Sequence, residues 1–330
     1  MAKERMVWVD AAKGVAMAAV VLGHTYYGGV PAHTFVYSFH IPLFFILAGY
    51  TFRVKPAGEM FKASVKRLLV PYLVLCLITA ICDIAFGRLS IDGIILFLGS
   101  VVFASGGSWL PFDIPSIGVP WFLMALFVAR LLYNALLGFL DRHGVHPIVQ
   151  FAVFAAICYA VKIAIPYIAL PFAFLQAVIA MFFMHVGHCM AKYHWIEKAP
   201  AFATIVALVL WAAGLALGFF FSIGNLWFVK SFVGGAVMAA AGSWCIMQAC
   251  RFVEAHARRL GDILSFVGIN SLLVLELHVV ENLCFDWGLV VIEPLGWFSP
   301  VLVGIAHLAF VFGILWLVSL NPVKIAKTEP

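Results

Sequence analysis

The sequence predicts an all-α fold, a polytopic transmembrane helical bundle of about ten spans with both termini cytoplasmic, and three observations predict it. Of the 330 residues, 65% are apolar and 11% charged, with a mean hydropathy of +1.09, against roughly 45–50% apolar and 25% charged in soluble domains. Apolar runs long enough to cross a bilayer core, about 20 helical residues each, recur along the whole chain. Lys and Arg gather in alternate connections, the asymmetry that orients membrane proteins.

The first run, 7–26, carries Asp10 and Lys13 and lacks a small-residue cleavage site, so it is retained as a span and not read as a signal peptide. The second, 34–52, contains Pro42, which frees backbone carbonyls and kinks the helix. Further spans are expected at 68–86, 120–139, 147–165, 171–191, 201–221, 229–250, 263–283 and 299–320. The apolar stretch 94–105 is short for a crossing and reads as a re-entrant or interfacial helix, with an eleventh span as the alternative. The Gly- and Pro-rich segment 106–120 is the longest outer connection. Its turn formers argue for a shaped loop, either a substrate lid or a plain connector. Trp8, Tyr72, Trp121 and Trp227 near span ends fit interfacial anchoring. With no internal repeat and no separate polar block, 1–330 reads as one membrane domain.

An inside N-terminus assigns fifteen of the twenty Lys and Arg residues to the cytoplasmic side. The exceptions are Lys13 and Arg130 within spans, and Arg88, Lys162 and Lys230 at or near outer ends. The net charge of +5 therefore reflects topology; the bilayer is the expected partner and nucleic acid is not. The seven cysteines form no paired framework and read as buried thiols.

Ionisable groups inside spans are costly and face a protein interior or a wet cavity, so each is a functional candidate. In the first span, Lys13 and His24 fall about 20° apart around the helix and Asp10 lies within roughly 60° of Lys13, one polar stripe in which His24 stands about 16 Å from Lys13 along the axis. Such a helix suits a long ligand whose anionic head stays inside while its reactive tip reaches outward, the shape of acyl-CoA. The plainer alternatives are a structural Asp10–Lys13 ion pair, with Lys13 snorkelling, and an interhelical hydrogen bond at His24. His40, two residues before Pro42, is either a substrate-binding residue or a structural histidine bonding a freed backbone group. The basic stretch holding Arg53, Lys66 and Arg67 could bind donor phosphates, or express positive-inside bias alone.

In the ninth span, His278 and Glu281 share a face, whereas Glu276 lies about 200° from His278. A carboxylate there could hold a histidine tautomer. HVVE has no matching partner elsewhere, and His185, His188 and Cys189 lack further ligands, so no metal is expected. Arg130 needs an anion, either Asp83 or substrate. No Gly-rich phosphate loop, nucleophile elbow or ATPase signature is present.

These residues resemble acyltransferase family 3, the integral-membrane O-acyltransferases, and are similar to its fucose 4-O-acetylase-like branch. The landmarks, in order, are Lys13 to His24 in DAAKGVAMAAVVLGH, FHIPLFFILAGY at 39–50, RLLVPY at 67–72, PWFLMALF at 120–127 and GINSLLVLELH at 268–278. Ala48 stands where the family often has Ser, and Lys66 and Arg67 replace an arginine pair of some members. The resemblance implies a ten-span enzyme of the cell envelope, in a bacterial inner membrane, with acetyl-CoA or another acyl-CoA as co-substrate and an extracytoplasmic carbohydrate or glycolipid as acceptor. By the matching, His24 is catalytic and Lys13 and Arg67 lie near the donor.

The chemistry agrees: imidazole, with a pKa near 6.5, is suited to deprotonating a sugar hydroxyl at neutral pH. Asp10, about 21 Å from His24 along the helix, is too distant to orient it. Glu281, Glu276 and His278 are the candidates, with Glu276, His40, Trp121 and Arg130 as substrate-binding residues. The rival is a proton-coupled transporter or flippase, which would also use intramembrane Asp, Lys, His and Glu.

Overall fold

In the computed structural model, residues 5–25, 31–91, 93–107, 114–285 and 299–320 are described. Both termini, with Lys3, Lys324 and Lys327, lie outside them, as does the middle of the 106–120 connection. The chain is an all-α polytopic bundle. In order it forms α1 (Val7–Thr25), α2 (Pro31–Tyr37), α3 (His40–Tyr50), α4 (Ala57–Ser64), a π-helical turn (Val65–Leu69), α5 (Val70–Ala85), α6 (Gly93–Phe103), α7 (Trp121–Arg142), α8 (Pro147–Ala164) and α9 (Phe174–Lys192). There follow α10 (Trp195–Lys198), α11 (Ala201–Ala216), the strands β1 (Phe220–Ser222) and β2 (Trp227–Val229), α12 (Phe232–His256), α13 (Arg258–Ile269), α14 (Ser271–Cys284) and α15 (Ser299–Leu320).

Eight helical segments among the described residues are long and apolar enough to cross a membrane, and a ninth if α13 and α14 count as one span. Three expected spans depart from unbroken crossings. The seventh stops at Ala216 after 16 residues, about 24 Å of helix against a hydrocarbon core of about 30 Å. Gly218, at φ 72°, turns the chain into an antiparallel hairpin in which Phe220 pairs with Val229 and Ser222 with Trp227. The ninth is broken by a 67° bend at Asn270, whose side-chain amide donates to Phe266 O at 2.8 Å and so competes with the helical ladder. The second span is also broken, at Ser38 and Phe39, where Pro42 leaves the Ser38 carbonyl without its helical donor. Helix α6, at 11 residues, is short as expected.

Small residues set how closely the helices approach, as is usual where lipid supplies no hydrophobic drive. Helix α1 packs most heavily on α13, and α3 on α9. A methyl group added at Gly268 would stand 1.7 Å from Asp10 O, and one at Gly14 2.1 Å from Leu264 O. Gly49 and Gly187 repeat the arrangement between α3 and α9, at 1.8 Å from Met184 O and 1.9 Å from Ile46 O. Backbone therefore lies against backbone along α1, which fixes its polar stripe relative to the bundle.

Contacts at one end of the bundle join segments that the charge pattern places together. Trp8 packs edge-on against Tyr50 at 5.2 Å, the Tyr50 hydroxyl donates to Glu197, and Arg251 donates to Ile196 O at 2.5 Å. Asn134 clamps Lys55 through both backbone groups, each at 2.9 Å, tying the basic connection after the second span to α7.

Candidate active site

Helix α1 carries the site along its length. Near its start, Asp10 is buried and paired with both Arg5 at 2.7 Å and Lys13 at 3.1 Å. The ion pair read as the structural alternative is thus present, and it lies in the wall of a cavity of about 430 Å³. Arg5, Lys13, Arg67 and Arg130 line that cavity, with Asp10 as the one carboxylate among its described lining residues. Four cations against one carboxylate leave an excess of positive charge suited to a polyanion.

Local backbone explains which basic residues take part. The π turn at Val65–Leu69 interrupts α-helical spacing just where Arg67 and Leu68 enter the lining, the kind of bulge often found at functional sites. Lys66, in the same turn, and Arg53 are exposed and outside the lining. Arg130 has no carboxylate partner among the described residues. It lies 3.8 Å from the Met60 sulfur and over the Phe52 ring at 5.7 Å. Asp83 pairs instead with Arg88 at 3.0 Å, which leaves Arg130 to face the cavity.

At the far end of the same cavity stands His24, whose side chain is open to it and not sealed by packing. A second cavity, of about 580 Å³, begins at the same imidazole and is lined by Arg88, Thr79, Asn282 and the Gly118–Pro120 backbone. His24, Gly118 and Val119 belong to both walls. The imidazole therefore stands where two chambers meet, one leading to the cation cluster and one leading away from it.

The chamber nearer the cations is roofed by elements that hydropathy does not predict. The turn from Ser222 to Asn225 joins its lining. The Trp121 indole lies between Gly106 and Gly224, where added methyl groups would meet the ring at 2.7 and 2.8 Å. Trp121 is buried and lines the cavity, so it is more than an interfacial anchor. His40 also lines it and donates through Nδ1 to Val36 O at 2.6 Å, a backbone bond within its own span, although the carbonyl that Pro42 frees is that of Ser38. Glu276 is half-buried and belongs to neither lining.

Behind His24 lies a buried polar cluster. The His278 ring is centred 5.2 Å from that of His24, and its Nδ1–H donates to Glu281 at 3.0 Å. His307 on α15 donates through Nε2 to the same carboxylate, while its Nδ1 contacts Thr25 Oγ1 at 2.5 Å. Asn282 donates to His278 Nε2 at 3.1 Å. The donor atoms of His278, Glu281 and His307 lie within 4.8 Å of one another, so the three could share a metal ion; here they bond one another directly. His307 was not anticipated, although a lone histidine in a 22-residue apolar helix is itself a signal. Asn282 and Arg5 were missed as well. His185 lies elsewhere, bonded to the Tyr133 hydroxyl at 3.1 Å, 3.6 Å from the Cys189 sulfur and stacked on Phe154.

The family model for the acyltransferase domain of acyltransferase family 3 matches residues 6–320. Neither the curated proteins nor the solved structures include a match. A match running from the residue before α1 to the last residue of α15 takes in both cavities and the buried cluster, and by it the chain belongs to acyltransferase family 3, the membrane acyltransferases.

Proposed function

We propose that this membrane acyltransferase, as one domain spanning 1–330, moves an acyl group, acetyl foremost, from cytoplasmic acyl-CoA to a hydroxyl of an extracytoplasmic carbohydrate or glycolipid. The setting is a bacterial inner membrane, in the manner of the fucose 4-O-acetylase-like branch. The observation that carries the reading is that His24 belongs to two chambers at once, one of which has four cations in its wall. Donor phosphates would meet Arg5, Lys13, Arg67 and Arg130. The pantetheine arm then spans the roughly 16 Å of α1 that separates Lys13 from His24 and brings the thioester to the imidazole.

The acceptor hydroxyl approaches from the second chamber. His24 removes its proton as the oxygen attacks the thioester carbonyl. The tetrahedral intermediate collapses with cleavage of the carbon–sulfur bond, and the proton held by His24 passes to the departing thiolate. The products are the ester and free CoA thiol, with His24 restored. Trp121 and His40 line the chamber near the acyl group, where they would shape substrate binding, and Asp10 holds Arg5 and Lys13 in place.

The test is transfer from radiolabelled acetyl-CoA to candidate glycans by purified protein in liposomes, comparing wild type with His24→Ala. The wild type is expected to label the glycan, and the variant to lose roughly 10²–10⁴-fold in rate, the contribution of a general base. Undiminished transfer by the variant would remove His24 from the reaction. Transmembrane glycan flux without thioester cleavage would favour a carrier over an enzyme.

A further inference from the structure

Helix α15 holds a single ionisable residue among its 22, His307, and that imidazole is fully buried. Such a group is costly in a span and needs partners that satisfy it. Its partners lie on two other helices, Thr25 on α1 and Glu281 on α14. Thr25 directly follows His24 in the chain and lies in the same last turn of α1.

Thr25 Oγ1 lies 3.0 Å from Val21 O, four residues back on its own helix. The same oxygen lies 2.5 Å from His307 Nδ1. Nε2 of the same ring bonds Glu281, so both ring nitrogens of His307 are engaged, one on each neighbouring helix. Glu281 keeps acceptor capacity for the Nδ1–H of His278, so the His278 proton sits on Nδ1 and its Nε2 accepts from Asn282. One imidazole thus joins the backbone turn that bears His24 to the ring that faces His24.

On the reading of His24 as the base, we propose that His307 is a positioning residue for that base, acting through Thr25 on one side and through Glu281 and His278 on the other. It touches neither cavity and does not meet substrate. It fixes the last turn of α1 against α14 and α15 and sets the tautomer of the neighbouring imidazole. Any histidine in a span can hold helices together; the particular feature here is that both arms of the bridge end at the base, one through the chain and one through a ring.

The proposal is tested by steady-state transfer kinetics and acetyl-CoA binding for His307→Ala, His307→Gln, Thr25→Val, Thr25→Ser and the double variant His307→Ala/Thr25→Val. His307→Ala should lose tenfold or more in kcat, with acetyl-CoA affinity within twofold of wild type. Thr25→Ser, which keeps the hydroxyl, should behave as wild type, and Thr25→Val should reproduce part of the loss. The double variant should be no slower than His307→Ala alone, because both substitutions break one bridge. Imidazole added to His307→Ala should recover activity. The proposal is overturned by unchanged kcat in His307→Ala, by multiplicative effects in the double variant, or by a loss confined to donor affinity. One equivalent of tightly bound metal that disappears in His307→Gln would overturn it as well, since His307 would then be a ligand. If His307→Ala does not fold, the comparison of Thr25→Val with Thr25→Ser decides alone. A wild-type protein without transfer would sink the functional reading; a working wild type with indifferent His307 variants would sink only the bridge.

Discussion

His278 and His24 face each other with ring centres 5.2 Å apart and planes tilted by 50°. His278, and not His24, carries the hydrogen bond to Glu281. His24 has no hydrogen bond among the described residues and lines both cavities.

The first prediction concerns His278. Glu281→Gln removes the carboxylate that fixes the His278 tautomer, and kcat should fall about tenfold or more, short of the roughly 10²–10⁴ lost with a general base. Acetyl-CoA binding, measured by calorimetry in detergent, should stay within twofold. Normal kcat in this variant would separate the buried cluster from the chemistry.

Arg130 and Arg53 make a matched pair for the donor end. Arg130 lines the cavity without a carboxylate partner, whereas Arg53 is exposed outside it. A hydrogen bond to a charged group contributes about 1.5–3 kcal/mol, so Arg130→Ala should weaken acetyl-CoA binding about 10–100-fold while Arg53→Ala leaves it unchanged. Equal effects from the two would indicate diffuse attraction and no bound phosphate.

Acceptor binding should depend on the other chamber. Arg88 lines it, pairs with Asp83 and donates to Leu283 O at 2.8 Å. Arg88→Ala should raise the KM for acceptor several-fold with little change for acetyl-CoA. A selective rise in the donor KM would reverse the assignment of the two chambers.

Glycine substitutions test the packing. Gly49→Ala would place a methyl 1.8 Å from Met184 O, whereas Gly58 has open space around it. Overpacking a tight contact costs typically about 1–3 kcal/mol, so Gly49→Ala should lower the yield and melting temperature of the purified protein, and Gly58→Ala should be neutral. A tolerant Gly49 would mean that α3 and α9 are less closely fitted.

Sequence alone disclosed the parts of this site that share one helix. Lys13 and His24 share a stripe because eleven residues close on three helical turns, and both line one cavity. His278 and Glu281 are three apart and bonded. Residues brought together across helices were not legible: neither spacing nor composition relates His307 to Thr25 or to Glu281. The hairpin escaped notice because each strand is three residues long within an apolar stretch that hydropathy treats as two spans. The bend at Asn270 was hidden for a related reason, since one polar residue does not break a hydropathy window. Charge pattern alone did not separate Arg67 from Lys66; the family resemblance named Arg67, and it is Arg67 in the π turn that lines the cavity.

The backbone contacts of Gly14 and Gly268 leave α1 no slack to slide or rotate. A carrier passes cargo by exposing one site first to one compartment and then to the other, which requires its central element to move. With its central helix wedged against a neighbour, this protein would keep donor and acceptor each on its own side, and only the acyl carbon would change hands midway.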